Sequence, residues 1–347
     1  MKKWIKAICT IIGTIIGAGF ISGKEIYIFF NQYGTIGILG IAIASILTGI
    51  IIYFILIQTK GMNAKNYSEY LQEIKVNPKI KDILNIFVNL FLLISFYIMI
   101  AGFCACLEQE FGISSLAVGL IICLICYITF MKKIEGITKI NTILIPALLI
   151  LIIFIGLKTQ IIELLEDVMV NQKIIFNGNW FIACLEYASY NSILLIPILI
   201  SLKKYTDKNE KKISILVSLI FFILACILFL LLQVKGEECL NIELPLVYIV
   251  GQYGKIYKYL CVILITLAIY TSAIAAGYSL AENCSKTKKE VYKNICILIC
   301  ITAVPISQIG FTNLVNTLYP VFGLLGIIQI GILFSYFVLK RISSPKK

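Results

Sequence analysis

Uninterrupted apolar runs, most of them near twenty residues long, follow one another along the chain, separated by short loops rich in lysine. A run of that length spans the hydrocarbon core of a bilayer as a helix. Lipid offers backbone groups no hydrogen-bonding partner, so only helices and closed barrels cross it. The runs lack the alternation of a barrel strand. The fold they predict is an all-α integral membrane protein, a single transmembrane domain over residues 1–347.

Ten spans are expected, over residues 4–31, 35–59, 79–107, 114–131, 139–158, 179–202, 212–234, 254–283, 291–308 and 318–340. Three amphipathic pieces fall between them, near 66–75, 160–170 and 243–252. The basic N-terminus followed by apolar residues imitates a secretory signal, but the apolar stretch runs on to Phe30 and another span follows, so it reads as an uncleaved first helix. Orientation follows from the lysines. With the N-terminus inside, 24 of the 30 Lys and Arg residues fall on the inner side and 5 on the outer side, Lys24 being within span one. The positive-inside rule then places both termini in the cytoplasm of a bacterial cell, the protein being a multi-pass component of its inner (cytoplasmic) membrane. The net charge of +12 belongs to these loops and gives no reason to expect nucleic acid as a partner.

Ten spans divide into five and five, and an odd number per half inverts the second half relative to the first. The expected plan is an inverted repeat, residues 4–158 and 179–340, a recurrent transporter architecture with its site near the midplane. Ala101–Glu108 (AGFCACLE) and Ala276–Glu282 (AGYSLAE) are the local likeness between the halves.

The twelve cysteines lie mostly inside apolar runs. Cys104-x-Cys106 and Cys123-x-x-Cys126 have metal-like spacing, yet the chain has no histidine, so small core residues are the expectation. Without histidine, and without HExxH or GxSxG, catalysis has no foothold; the chain is expected not to be an enzyme and to carry no cofactor.

Span one carries the sharpest motif, GTIIGAGFISGKE from Gly13 to Glu25, with four glycines between Gly13 and Gly23. Each glycine weakens a helix interior by about 1 kcal/mol relative to alanine. A break at Gly17–Gly19 would free backbone N–H groups for a carboxylate and carbonyls for a cation. Gly13-xxx-Gly17 also fits a close helix contact. Span six reads LEYASYNSILLIP from Leu185 to Pro197, a dense polar cluster in an apolar segment, and is expected to be discontinuous like span one. Span eight places Thr271 and Ser272 at mid-membrane, and span three offers Ser95 and Tyr97.

These three segments resemble the YkvI-like bacterial membrane proteins and, more distantly, amino-acid transporters of the leucine-transporter fold in the amino acid–polyamine–organocation superfamily. The resemblance covers essentially the whole chain. It implies a secondary transporter of a small solute, an amino acid or related zwitterion, working by alternating access and coupled to sodium. The implied sodium site takes carbonyls from Gly13, Ile16 and Ala268 and hydroxyls from Thr271 and Ser272. The implied substrate site takes Gly17, Ala18, Gly19 and Phe20 of span one, Tyr97 of span three, and Tyr187, Ser189 and Asn191 of span six. Lys24, Glu25 and Glu186 form a candidate gate or proton site, the basis of a proton-coupled alternative. A second alternative is a nutrient-sensing receptor subunit with a transporter fold. The oligomeric state is open.

Overall fold

The computed structural model describes residues 2–158, 179–206, 208–233, 244–285, 288–309 and 321–336. Among the described residues the regular structure is helical throughout. The amphipathic piece expected near 160–170 lies outside them.

The first apolar segment is built in three pieces. Helix α1 runs Lys3–Ile15, α2 Ala18–Ser22 and α3 Lys24–Phe29. Between α1 and α2, Ile16 and Gly17 leave helical geometry, Gly17 being extended at φ −95°, ψ −170°. Between α2 and α3, Gly23 takes a left-handed φ of 90°, a region in which a side chain is strained. This second interruption was not anticipated from the sequence.

Helix α4 (Ile36–Thr59) follows, then the short α5 (Tyr67–Glu73), α6 (Pro78–Phe111), α7 (Ser115–Met131) and α8 (Lys133–Lys158). Beyond the undescribed stretch come α9 (Trp180–Ser201), α10 (Glu210–Gln233), the short α11 (Pro245–Gly251), α12 (Lys255–Ser285), α13 (Lys289–Ile306) and α14 (Val321–Tyr336). Local chemistry sets several ends. Asn77 caps α6 by accepting the Lys79 N–H, Pro78 opens its first turn, and Gly112 closes it at φ 66°. Asn66 caps α5 through the Glu69 N–H. Helix α8 starts six residues before the expected span because its charged first turns, with Glu135 near the start, extend the helix beyond the apolar run.

Among the described residues seven helices are long and apolar enough to cross a membrane, and α7 and α14 are shorter apolar helices. Ile46 and Ile50 on α4, Leu120 and Leu124 on α7, and Leu298 and Ile301 on α13 are exposed at helical spacing. Apolar stripes of this extent face lipid rather than water. The chain is a multi-pass membrane protein.

Burial sorts the helices into centre and rim. Every residue from Ala7 to Ile26 is buried, so the broken segment sits in the middle of the bundle. The most apolar stretch of α9 is 83% buried and that of α12 72%, against 33% for α8 and for Lys289–Ile309. A helix buried on all sides belongs to the core of the assembly.

One expectation is corrected. The sixth span is not discontinuous: α9 is a single helix from Trp180 to Ser201, with Pro197 inside it. No glycine weakens it, and two of its polar side chains bond back to their own backbone. Asn191 Nδ2 donates to the Tyr187 carbonyl (3.0 Å) and Ser192 Oγ to that of Ser189 (2.6 Å). Such local bonds let polar residues sit in a buried helix without breaking it.

Candidate functional site

The site grows from what the interruption in the first segment does to backbone hydrogen bonds. In an unbroken helix the carbonyls of Gly13, Thr14 and Ile16 would accept from the N–H groups of residues 17, 18 and 20. Two of these donors are turned elsewhere. Gly17 N–H donates to Ile15 O at 3.0 Å, and Ala18 N–H faces the Met99 sulfur at 3.3 Å.

The three released carbonyls converge on one hydroxyl of α12. Ser272 Oγ lies 2.9 Å from Gly13 O, 3.0 Å from Ile16 O and 3.5 Å from Thr14 O. A serine hydroxyl has one proton and satisfies one acceptor at a time. Thr271 Oγ1 donates to Ala268 O at 2.8 Å, on its own helix. Both hydroxyl residues are fully buried. Of the five residues expected to form a cation site, Gly13, Ile16 and Ser272 are joined by hydrogen bonds between the first segment and α12, while Thr271 and Ala268 bond to each other within α12.

Asn141 of α8 was missed. It is fully buried, and neither its Oδ1 nor its Nδ2 has a hydrogen-bond partner. It lies against Gly13, where a β-carbon would come within 2.9 Å of Asn141 Oδ1. The only sequence signal was a lone amide in an apolar run, Ile140–Ile145. Thus carbonyl, hydroxyl and amide oxygens share a buried junction with fewer protons than acceptors. A buried polar group left unpaired costs about 1–3 kcal/mol, and a hard cation removes that cost by accepting oxygen lone pairs. The donor set fits such an ion.

A small cavity lies beside this junction. It is lined by Thr14, Ile15 and Gly17 of the first segment and by Glu25. Phe91, Ser95 and Met99 of α6 and Tyr190, Asn191 and Leu194 of α9 complete it. Its volume is about 10 Å³, the space of roughly one water-sized sphere, so a solute enters only when the surrounding helices part.

Glu25 dominates this cavity. It is 2% exposed, its carboxylate accepts the Tyr190 hydroxyl, and the Tyr187 ring packs edge-on against that of Tyr190. The rings of Phe29, Phe30 and Phe221 pack around the two tyrosines, at centroid distances of 5.0–5.7 Å. Gly19 is needed at the base of this arrangement, because a β-carbon there would run into the Glu25 carboxyl group.

The expected substrate residues divide. Gly17 and Asn191 line the cavity. Ala18 faces Met99, Gly19 lies under Glu25 and Tyr187 packs against Tyr190, so these three meet the cavity through its lining, while Phe20 packs on Phe221. Two of the expected residues, Tyr97 and Ser189, point away, as does the gate candidate Glu186, and all three are corrected. Tyr97 hydrogen-bonds Thr302 of α13 at 2.7 Å, and its α6 neighbours Ser95 and Met99, one turn apart, face inward instead. Ser189 and Glu186 lie against Gly326 and Gly323 of α14. The reason is periodicity: on one helix, residues 186 and 189 share a face, whereas 187, 190, 191 and 194 share another. Glu186, a candidate gate or proton residue, thus faces away from the cavity that Glu25 lines. Lys24 is buried at the head of α3 but does not line the cavity.

No known family model matches the chain. It is 26% identical over 326 residues to the uncharacterized membrane protein YkvI of Bacillus subtilis (strain 168), covering 93% of this chain and 92% of that protein. Its fold is similar to that of MhsT solved in complex with L-phenylalanine, with a TM-score of 0.69 and 18% identity, covering 93% of this chain and 87% of that one. It is also similar to a Na⁺-coupled sialic acid symporter in a substrate-bound outward-open state, with a TM-score of 0.61 and 16% identity, covering 94% and 76%.

Proposed function

We propose that this chain, a YkvI-like membrane protein with the leucine-transporter fold, is a secondary active transporter that couples sodium entry to the movement of a small amine-bearing solute by alternating access. One observation carries the reading: three carbonyls released by the break after α1, two of them at 2.9 and 3.0 Å, face a single buried hydroxyl at Ser272. Discontinuous helices that offer carbonyls from a C-terminal end are a recurrent way to hold a coupling ion. The orphaned Asn141 amide beside Gly13 adds an oxygen to the same set. Two of the fold neighbours, a Na⁺-coupled sialic acid symporter and MhsT bound to L-phenylalanine, support transport of a small solute.

The architecture within this reading is ten crossings, counting the broken first segment as one and adding the nine long or shorter apolar helices. Residues 4–158 and 179–340 form the two inverted halves. The N-terminus and the lysine-rich loops face the cytoplasm of a bacterial cell membrane, as the charge count requires.

The test is sodium-dependent stabilisation. A ligand that binds only the folded state raises its melting temperature. Purified protein in sodium chloride is expected to melt above protein in potassium chloride of equal strength. Ser272→Ala and Thr271→Ala should each lose most of that difference, and proteoliposomes carrying them should lose sodium-driven uptake. An identical shift in potassium, or a full sodium shift in both variants, rules the coupling out.

A further inference from the structure

We infer that the solute is recognised through a cationic amine by Glu25, and that its recognition does not use a carboxylate group. This rests on the transporter reading above and concerns the cavity rather than the ion junction. The backbone beyond the break, where a substrate carboxylate was expected, already holds a carboxylate of the protein. The Glu25 carboxyl group lies so close over Gly19 that no β-carbon fits there. The neighbouring Ala18 N–H is directed at the Met99 thioether, itself a wall of the cavity.

Charge then decides what the cavity accepts. Among the residues lining it, Glu25 is the only carboxylate, and no lysine or arginine is present. A second carboxylate entering here would meet the Glu25 carboxyl group with no lysine or arginine among the lining residues. Like charges at such separations are strongly unfavourable at low dielectric. An ammonium group meets the opposite situation. It gains the Glu25 charge, the lone pairs of Tyr190 and Asn191, and aromatic surface from Tyr190 and Phe91, the surroundings that favour organic cations. Ser95 and Thr14 add hydroxyls that accept from further N–H groups. The apolar remainder of the lining, Ile15, Met99 and Leu194, suits a hydrocarbon body behind the amine.

The experiment uses matched probes on full-length protein in sodium chloride. Thermal shifts are measured with phenethylamine and butylamine, with phenylpropionate and pentanoate, and with zwitterionic phenylalanine. Saturable stabilisation by the amines is expected, with a smaller shift from phenylalanine and none from the acids. Glu25→Gln should weaken amine binding at least tenfold while keeping the sodium shift, which shows that the variant is folded. Glu25→Asp, which keeps the charge, should retain part of the amine shift. Stabilisation by the acids or by phenylalanine above that of the amines overturns the inference, as does amine binding unchanged in Glu25→Gln. A sodium shift with no response to any amine overturns it too and leaves the ion site standing. Amine binding that depends on Glu25 but is indifferent to sodium supports the inference and counts against the coupling reading instead.

Discussion

Single side chains at the break have separable roles, and the variants that separate them follow from their contacts. Asn141 is the sharpest case. A buried amide without partners costs stability, so Asn141→Leu should leave the sodium-free protein unchanged or more stable by about 1–2 kcal/mol. The same variant should lose part of the sodium-induced rise in melting temperature. An ordinary packing residue would behave oppositely, with lower stability and an intact ion response. Gly23 gives a purely conformational prediction. Its φ of 90° and the 2.9 Å approach of Leu232 to a β-carbon position make Gly23→Ala cost about 1–2 kcal/mol, read as a lower melting temperature with or without sodium. Neither residue's role was legible in the string of letters. Four glycines announced a weak helix, but which of them bends, which merely makes room, and which faces an amide depends on neighbours from α6, α8 and α10.

At the level of elements, the two central helices show how a polar sequence resolves in a buried setting. The first segment gives up its ladder and exports carbonyls to α12 and an N–H group to Met99. The sixth span, equally polar, keeps its ladder because Asn191 and Ser192 bond within it. Glycine accounts for the difference, since it lowers the cost of leaving helical geometry and α9 has none. Short elements tie the ends together. Helix α5 is clamped by the Ser68 N–H on Asn283 Oδ1 (2.8 Å) and by Gln329 Nε2 on Tyr67 OH (3.0 Å). After α9, Lys203 donates to the carbonyls of Met62 (3.0 Å) and Ala64 (2.7 Å), and partial burial pulls its pKa below the usual lysine range. Lys203→Met should therefore loosen the turn after α4 and lower stability by about 1 kcal/mol, with faster amide exchange at residues 60–65 as the local readout.

Seen as a whole, the molecule is a closed bundle around a cavity of about 10 Å³, with a lipid-facing apolar belt outside. Transport by such a body requires the broken segment and α9 to move against α6 and α12, because side chains at these crossings leave no room for a solute. Orientation is testable on the intact protein. In a Cys239→Ser background, Lys208→Cys should resist a membrane-impermeant maleimide in whole cells, and Tyr253→Cys should react. The native Cys284, exposed at the end of α12, should resist it as well. Reaction of Lys208→Cys from outside would reverse the topology.

The sequence by itself determined that the chain is a helical membrane protein, roughly where each helix lies, and that the glycine-rich motif of the first segment and the Thr271–Ser272 pair are the places to look. Those features rest on hydropathy, charge and backbone cost, which are local properties. Only the tertiary structure decided that Glu25 lies over the break, that Asn141 is aimed at Gly13, and that Tyr190 rather than Tyr97 or Ser189 faces the cavity. Each of these depends on the rotation of one helix about its axis relative to another. A helix turns about 100° per residue, so an error of one position moves a side chain from the centre of the bundle to its flank.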